Sequence, residues 1–384
     1  MDPRILIVGG GPAGAACGIE LASRGIPTVV LEKGQPLRDK VCGDGLNVDT
    51  QKALARLGLF DRVKRAARAI PRAVITGYRG ERIAIDQTFY TMQRSRLDQI
   101  LREAVEENGG VVVHGAQIDD IQVADHGVTL ADRTGVVYSG DVVVLATGVD
   151  TRLAKALGFG FPPRTAAALR GYVPDTRGDD AYRFYLIRDI FPGYAWAFPC
   201  PDQVLNVGVI TFEKHRPKRN IRELLRVFVD RTVGGLTDRP GFVRPPRGFQ
   251  LRTGLRRGPS VADRVLLVGE NVDCTYDLSG EGIGKALESG ILAAEAIAGA
   301  GPPYSAQQLR SYERNLLASA SKFHDGYARA MRVMADPIGN LIFTKLLAHS
   351  RKASRTLAAV IREERFPQEL FTPGGLVKTL LSRS

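Results

Sequence analysis

"RILIVGGGPAGAACGIELASRGIPTVVLEK", residues 4–33, decides the fold. Arg4–Val8 is a short apolar run of the kind that forms a buried parallel strand. Gly9-x-Gly11-x-x-Gly14 follows without a gap. The alanine-rich stretch from Pro12 to about Arg24 reads as a helix, and Gly25 ends it. Pro27–Leu31 is a second apolar strand, closing on Glu32. Strand, glycine turn, helix and strand in this order are what a dinucleotide fingerprint requires. Gly9 permits the tight turn, Gly11 lets the backbone approach a pyrophosphate, and Gly14 lets helix and strand pack closely. The helix N-terminus at Pro12 and Ala13 offers free N–H groups and the positive end of the helix dipole to phosphates. Glu32, with Lys33 beside it, can accept hydrogen bonds from a ribose diol.

The chain of 384 residues has material for two or three structural regions and a sizeable core. No uncharged apolar run is long enough for a membrane-spanning helix, and the N-terminus "MDPRILIVGGG" is unlike a signal peptide. A cytoplasmic protein is therefore expected. Cys17, Cys42, Cys200 and Cys274 form no close pair, so neither a zinc site nor a disulfide framework is indicated. The formal net charge is +12, and residues 301–384 hold 13 Lys/Arg against 6 Asp/Glu. Such an excess suits an anionic membrane surface or an acidic protein partner, or is simply a solvated basic face. No nucleic-acid-binding motif accompanies it, and no nucleic-acid partner is expected.

Later segments supply further glycine turns. "YSGDVVVLATG" (138–148) reads as a strand ending in Ala146-Thr147-Gly148. "DRVLLVGENVDCTYDLSGEGIGKALESGILAAEAIA" (263–298) reads as a strand, a loop at Gly269-Glu270, and a long helix of small residues. Gly280, Gly282 and Gly284 cluster where that helix begins, so a second helix N-terminus can meet an electron-rich group such as a flavin carbonyl. In "GYAWAFP" (193–199), Tyr194, Trp196 and Phe198 alternate and share one strand face. They either fill a core or wall a pocket for a flat or apolar ligand.

This spread of glycine turns resembles FAD-containing oxidoreductases of the p-hydroxybenzoate hydroxylase type, and within them the geranylgeranyl reductase family. "KVCGDGL" (40–46), "YAWAFP" (194–199) and "LSGEGIGKALESG" (278–290) carry the likeness, which covers about residues 4–300. The resemblance implies an α/β Rossmann-like FAD-binding domain with an inserted antiparallel-sheet substrate domain and a C-terminal helical region. The expected boundaries are 1–70, 94–165 and 250–300 for the first, 71–93 and 166–249 for the second, and 301–384 for the third. It implies non-covalent FAD, with NAD(P)H or a reduced protein as external reductant. Cofactor contacts are expected from Gly9, Gly11, Pro12, Ala13, Gly14, Glu32, Lys33, Cys42, Gly43, Arg94, Ile118, Ala146, Thr147, Gly148, Gly269, Glu270, Gly280, Gly282 and Ile283. Tyr194, Trp196 and Phe198 would line the substrate cavity, and Cys42, Tyr194, Trp196 and Asp277 are the candidate catalytic residues.

The sequence also departs from the family pattern. A second glycine expected in the strand after the aromatic run is Ile210, which reshapes the cavity. The Gly-Asp pair near the ribityl chain is Gly269-Glu270, and Asp277 replaces a proline before the second helix. The Asp-Gly of NADPH-using hydroxylases reads Thr147-Gly148. The leading expectation is reduction of carbon–carbon double bonds in an apolar, isoprenoid-like substrate by hydride from reduced FAD. Two alternatives stand beside it. One is an FAD-dependent monooxygenase acting on an aromatic substrate, including a protein-borne tryptophan in quinone-cofactor biogenesis or a natural-product intermediate; "GYAWAFP" also resembles a segment of flavin-dependent halogenases. The other is an electron-transfer flavoprotein partner. The tail helices are expected to cover the substrate mouth and to touch an anionic membrane or a partner protein, with peripheral membrane attachment as one outcome.

Overall fold

The computed structural model describes residues 4–212, 220–235 and 241–371. Its first sheet has six strands. Ile5–Val8 lies at the centre, flanked in parallel by Val142–Leu145 and Thr28–Glu32. These three strands are wholly buried, as continuous apolar runs covered on both faces must be. Val111–His114 extends one side, and Val265–Leu267 with Val261–Ala262 the other. Helix Pro12–Ser23 crosses over from the first strand to the second, as the fingerprint requires. Helix Ile283–Gly299 packs tightly against it. A Cβ at Gly290 would stand 2.0 Å from the Ala13 carbonyl oxygen, so the close approach depends on glycine there. Both helices thereby present their N-termini to the same side of the sheet.

The second sheet has eight strands, built mainly from residues 68–91 and 166–251, with Gly45–Leu46 at one edge. At its middle, Gly193–Cys200 pairs antiparallel with Val204–Phe212 and with Ala181–Tyr185. The alternation expected for the aromatic strand is present. Trp196, Phe198 and Ile210 join one apolar cluster, while Ala195, Ala197, Val207 and Val209 join another on the opposite face. Helix Ile221–Arg231 covers the alanine face through Leu225, Phe228 and Val229. The aromatic face is covered partly by helices Pro337–His349 and Arg351–Ile361 through Phe343, Leu347, Leu357 and Val360.

The long helix Ala306–Met334 links the two cores. Leu309, Tyr312 and Leu316 enter the core of the first sheet, and Ala330, Met331 and Met334 enter the aromatic cluster. Leu317, at a nearly helical spacing from those three, faces outward at 36 % exposure. Among the described residues no helix is long and apolar enough to cross a membrane.

Candidate active site

A cavity of about 480 Å³ lies between the two sheets. At one end it is walled by Gly11, Pro12 and Ala13 of the fingerprint and by Ala146, Thr147 and Gly148. At the other it meets Gly280, Gly282 and Ile283, where the second helix begins. Lys33, Cys42, Gly43, Arg94, Gly269 and Glu270 complete this half. A smaller chamber of about 70 Å³ shares Gly11, Lys40 and Thr147 with it and runs on to Gly9, Glu32 and Ile118. Gly14 lines neither chamber and sits against the Gly9 backbone. The Glu32 carboxylate accepts hydrogen bonds from the backbone N–H of Gly10 at 2.8 Å and of Gly34 at 2.7 Å. Those bonds fix it at the strand end, with acceptor capacity left for a diol.

Several functional residues escaped the sequence reading. Lys40 lines both chambers, and burial, helped by the Arg94 charge, lowers its ammonium below the ordinary lysine range. Arg94 is itself held by Asp98 in a two-pronged ion pair, with Nε and Nη2 each 3.0 Å from a carboxylate oxygen. Two helix N-termini, Lys33, Lys40 and Arg94 therefore converge on one cavity, and a Gly11 that a side chain would fill opens onto it. This donor set fits the phosphates of FAD at one end and an isoalloxazine ring at the Gly280–Ile283 end.

The remaining half of the cavity is apolar. Tyr194, Trp196 and Phe198 line it with Tyr182, Phe184, Ile210 and Leu251. Tyr182 stacks on Phe198 with ring centroids 3.6 Å apart. Trp196 and Phe198 are each only 5 % exposed, so they are core and cavity wall at once. The Tyr194 hydroxyl donates to the Ser279 carbonyl and ties the aromatic strand to the loop before the second helix. Asp277 does not line the cavity; its carboxylate accepts from the Thr253 hydroxyl.

Behind the wall runs a buried polar network. Trp196 Nε1 donates to Asn206 Oδ1 at 2.9 Å. Asn206 Nδ2 in turn donates to the Cys42 carbonyl at 2.9 Å and to Asp44 Oδ2 at 2.8 Å. Tyr172 donates its hydroxyl to the same carboxylate, and the Arg94 backbone N–H reaches Asp44 Oδ1 at 3.3 Å. The network locks the Cys42 loop to the aromatic strand. Burial pushes Asp44 up to about 6 despite the Tyr172 and Asn206 hydrogen bonds. Burial likewise pushes the Cys42 thiol up, with Arg94 opposing.

Glu281 is the carboxyl group on the cavity wall at the second helix N-terminus. Burial pushes it well above the usual carboxylate range, Asp49 and Glu363 add to the rise, and Lys285 opposes it. Asp49, raised by burial to about 6, packs against the first turn of that helix. Lys285 Nζ lies 3.0 Å from Glu288 and 3.1 Å from Glu363, and Lys52, 54 % exposed, reaches Glu363 from outside at 3.8 Å. A legible signal existed for some of these residues. Lys40 and Asp44 flank Cys42 in "KVCGDGL", Asn206 interrupts the apolar start of "VLNVGVITF", and Glu281 stands between two of the clustered glycines.

A dinucleotide cradle opening into an aromatic-walled apolar chamber defines an FAD-dependent oxidoreductase. Residues 2–176 match the family profile described as "FAD binding domain". The menaquinone reductase of Mycolicibacterium smegmatis is 27 % identical over 319 residues, covering 77 % of this chain and 76 % of that one. The chloroplastic geranylgeranyl diphosphate reductase of Arabidopsis thaliana is 28 % identical, covering 77 % of this chain and 65 % of that one. Among solved structures, a geranylgeranyl bacteriochlorophyll reductase-like protein of Thermoplasma acidophilum superposes with a TM-score of 0.76 at 20 % identity, covering 99 % of this chain and 96 % of that one. The flavin-dependent brominase Bmp2 shares the fold with a TM-score of 0.77 at 18 % identity, covering 99 % and 98 %. The chain is an FAD-dependent oxidoreductase similar in sequence to menaquinone and geranylgeranyl diphosphate reductases.

Proposed function

We propose that this chain reduces carbon–carbon double bonds in an apolar, isoprenoid-like substrate, with Glu281 as the proton source. The carrying observation is the cavity's division into a phosphate-binding half and an aromatic half that meet at Gly280–Ile283. FAD, when bound and reduced, supplies the hydride. The chain does the rest. Tyr194, Trp196, Phe198 and Ile210 offer flat apolar surface, and each substrate CH2 they bury contributes about 0.8 kcal/mol. The same rings keep water from the reacting bond. The Glu281 carboxyl, kept protonated by burial, gives its proton to the second carbon as the hydride reaches the first. The carboxylate left behind regains a proton through the Asp49–Lys285–Glu363 group, which Lys52 joins to solvent. Menaquinone and geranylgeranyl diphosphate, named in the relatives' descriptions, share a polyisoprenoid chain. Reducing equivalents come from NAD(P)H or a reduced protein.

The test is anaerobic. Photoreduced holoprotein is mixed with geranylgeranyl diphosphate or a short-chain menaquinone. Flavin reoxidation without oxygen, and product heavier by two hydrogens, is the expected outcome. Glu281→Gln should keep its flavin and slow this reoxidation about a hundredfold, the scale of lost acid catalysis. No anaerobic reoxidation, together with a long-lived flavin adduct on adding oxygen, would replace the reductase reading with a monooxygenase.

A further inference from the structure

Helix Pro337–His349 has an unusual outer stripe. Its inner side buries Asn340, Phe343, Thr344 and Leu347. Ile338 and Ile342, one turn apart on the outer side, are 69 % and 58 % exposed, and Ile338 is the most exposed large apolar residue among those described. Lys345 continues the stripe, and Arg351 and Arg355 stand exposed on the following helix. From residue 337 to 362 the sequence contains five Lys/Arg and no Asp or Glu. Among the described residues, Lys345, Arg351, Lys352 and Arg355 pair with no carboxylate, whereas Arg362 and Arg365, just beyond the helix pair, each pair with a glutamate.

Two protruding isoleucines beside an unneutralised basic cluster are what an interfacial amphipathic segment needs. The apolar side chains enter the headgroup–acyl boundary, and the cations stay level with anionic headgroups. We infer that the Pro337–Ile361 helix pair docks this protein onto an anionic lipid bilayer. A soluble acidic protein would satisfy the cations and leave no reason for the isoleucines. A second copy of this chain would bring like charge against like. On its inner side the same helix packs into the cluster that holds Trp196 and Phe198. Docking here brings the substrate sheet to the bilayer, where apolar chains reside. The inference does not need the reductase reading, because lipid binding is measured without substrate.

Holoprotein is sedimented at low salt with vesicles of phosphatidylcholine, with or without phosphatidylserine. Binding should be about tenfold or more stronger with the anionic lipid and should fall with salt. Ile338→Gln with Ile342→Gln should lose most binding while keeping melting temperature and flavin content. Lys345→Glu with Arg355→Glu should lose the preference for phosphatidylserine. Equal binding to both vesicles, or undiminished binding by the folded isoleucine variant, would overturn the inference. So would a lipid-free dimer that the isoleucine variant dissociates, which would assign the face to a second copy.

Discussion

Gly11 and Gly14 occupy one turn of one helix and do opposite things. A Cβ at Gly11 would find only the Lys40 ammonium, 3.6 Å away, and the Gly11 backbone has an ordinary φ of −79°. A Cβ at Gly14 would stand 1.9 Å from the Gly9 carbonyl oxygen. Gly11→Val therefore fills ligand space without straining the fold, whereas Gly14→Val pushes the helix off its strand. The expected outcome is an apoprotein that melts like wild type but holds no flavin for Gly11→Val, and a protein that loses both for Gly14→Val. Flavin absorbance per chain and apoprotein melting decide it; a Gly11→Val protein that still purifies yellow would contradict the placement. Fingerprint glycines are legible in sequence because their spacing is local. Lys40, Asp44 and Glu281 were not read as site residues, since nothing local says that burial will bring Lys40 beside Arg94 or leave Glu281 facing a cavity. Asp277 shows the converse: its position before the second helix drew notice, but the loop turns its carboxylate to Thr253.

At the scale of elements, period-two alternation made the aromatic strand readable, down to Ala195 and Ala197 on the far face. Its partners were less so, because strand pairing is non-local. The register sets Tyr194 opposite Ile210, Trp196 opposite Gly208 and Phe198 opposite Asn206. Each ring thus meets a cross-strand neighbour of different size, and Ile210 alone adds bulk to the cavity on that strand. Ile210→Ala should lengthen the chamber at Tyr194 and move the preference toward longer prenyl diphosphates. An isoleucine in a packed core costs about 2–5 kcal/mol on truncation to alanine. Ile210 borders open space, so its cost should fall at the low end. Comparing turnover on geranyl, farnesyl and geranylgeranyl diphosphates checks this, and an unchanged chain-length profile would remove Ile210 from the wall that sets it. The C-terminal helices were legible as helices expected near the substrate mouth, but the side chains that pack them on the aromatic cluster, Phe343, Leu347, Leu357 and Val360, came only with the fold.

Across the whole molecule, buried ionisable groups on different elements pull stability in opposite directions with pH. Asp44 and Asp49 are each raised by burial to about 6, from 3.8. The folded state holds their protons more tightly than the unfolded chain, so their contribution is full below about pH 4 and is lost as pH rises toward 6. His324, on the helix that joins the two cores, does the reverse. It is 2 % exposed, its ring lies 4.6 Å from that of Tyr276, and neither ring nitrogen has a hydrogen-bond partner among the described residues. Burial lowers it from 6.5 to about 3, with the charges of Lys285 and Arg257 adding to the fall. Its stability is therefore intact above pH 6.5 and is lost as pH falls toward 3. Between pH 4 and 6 the aspartates and the histidine offset one another, and a wild-type melting curve there hides both. His324→Phe separates them. Phenylalanine keeps a flat ring against Tyr276 and removes two unpaired polar atoms, which cost about 1–3 kcal/mol each when buried without a partner. The variant should melt above wild type at pH 7, and its advantage should widen steadily from pH 6.5 down to pH 4. Thermal melts of the two holoproteins across that range test it. An advantage that stays constant with pH would mean that the acid response comes from elsewhere, and a variant that melts below wild type would mean that the imidazole has a bonding partner in the folded protein.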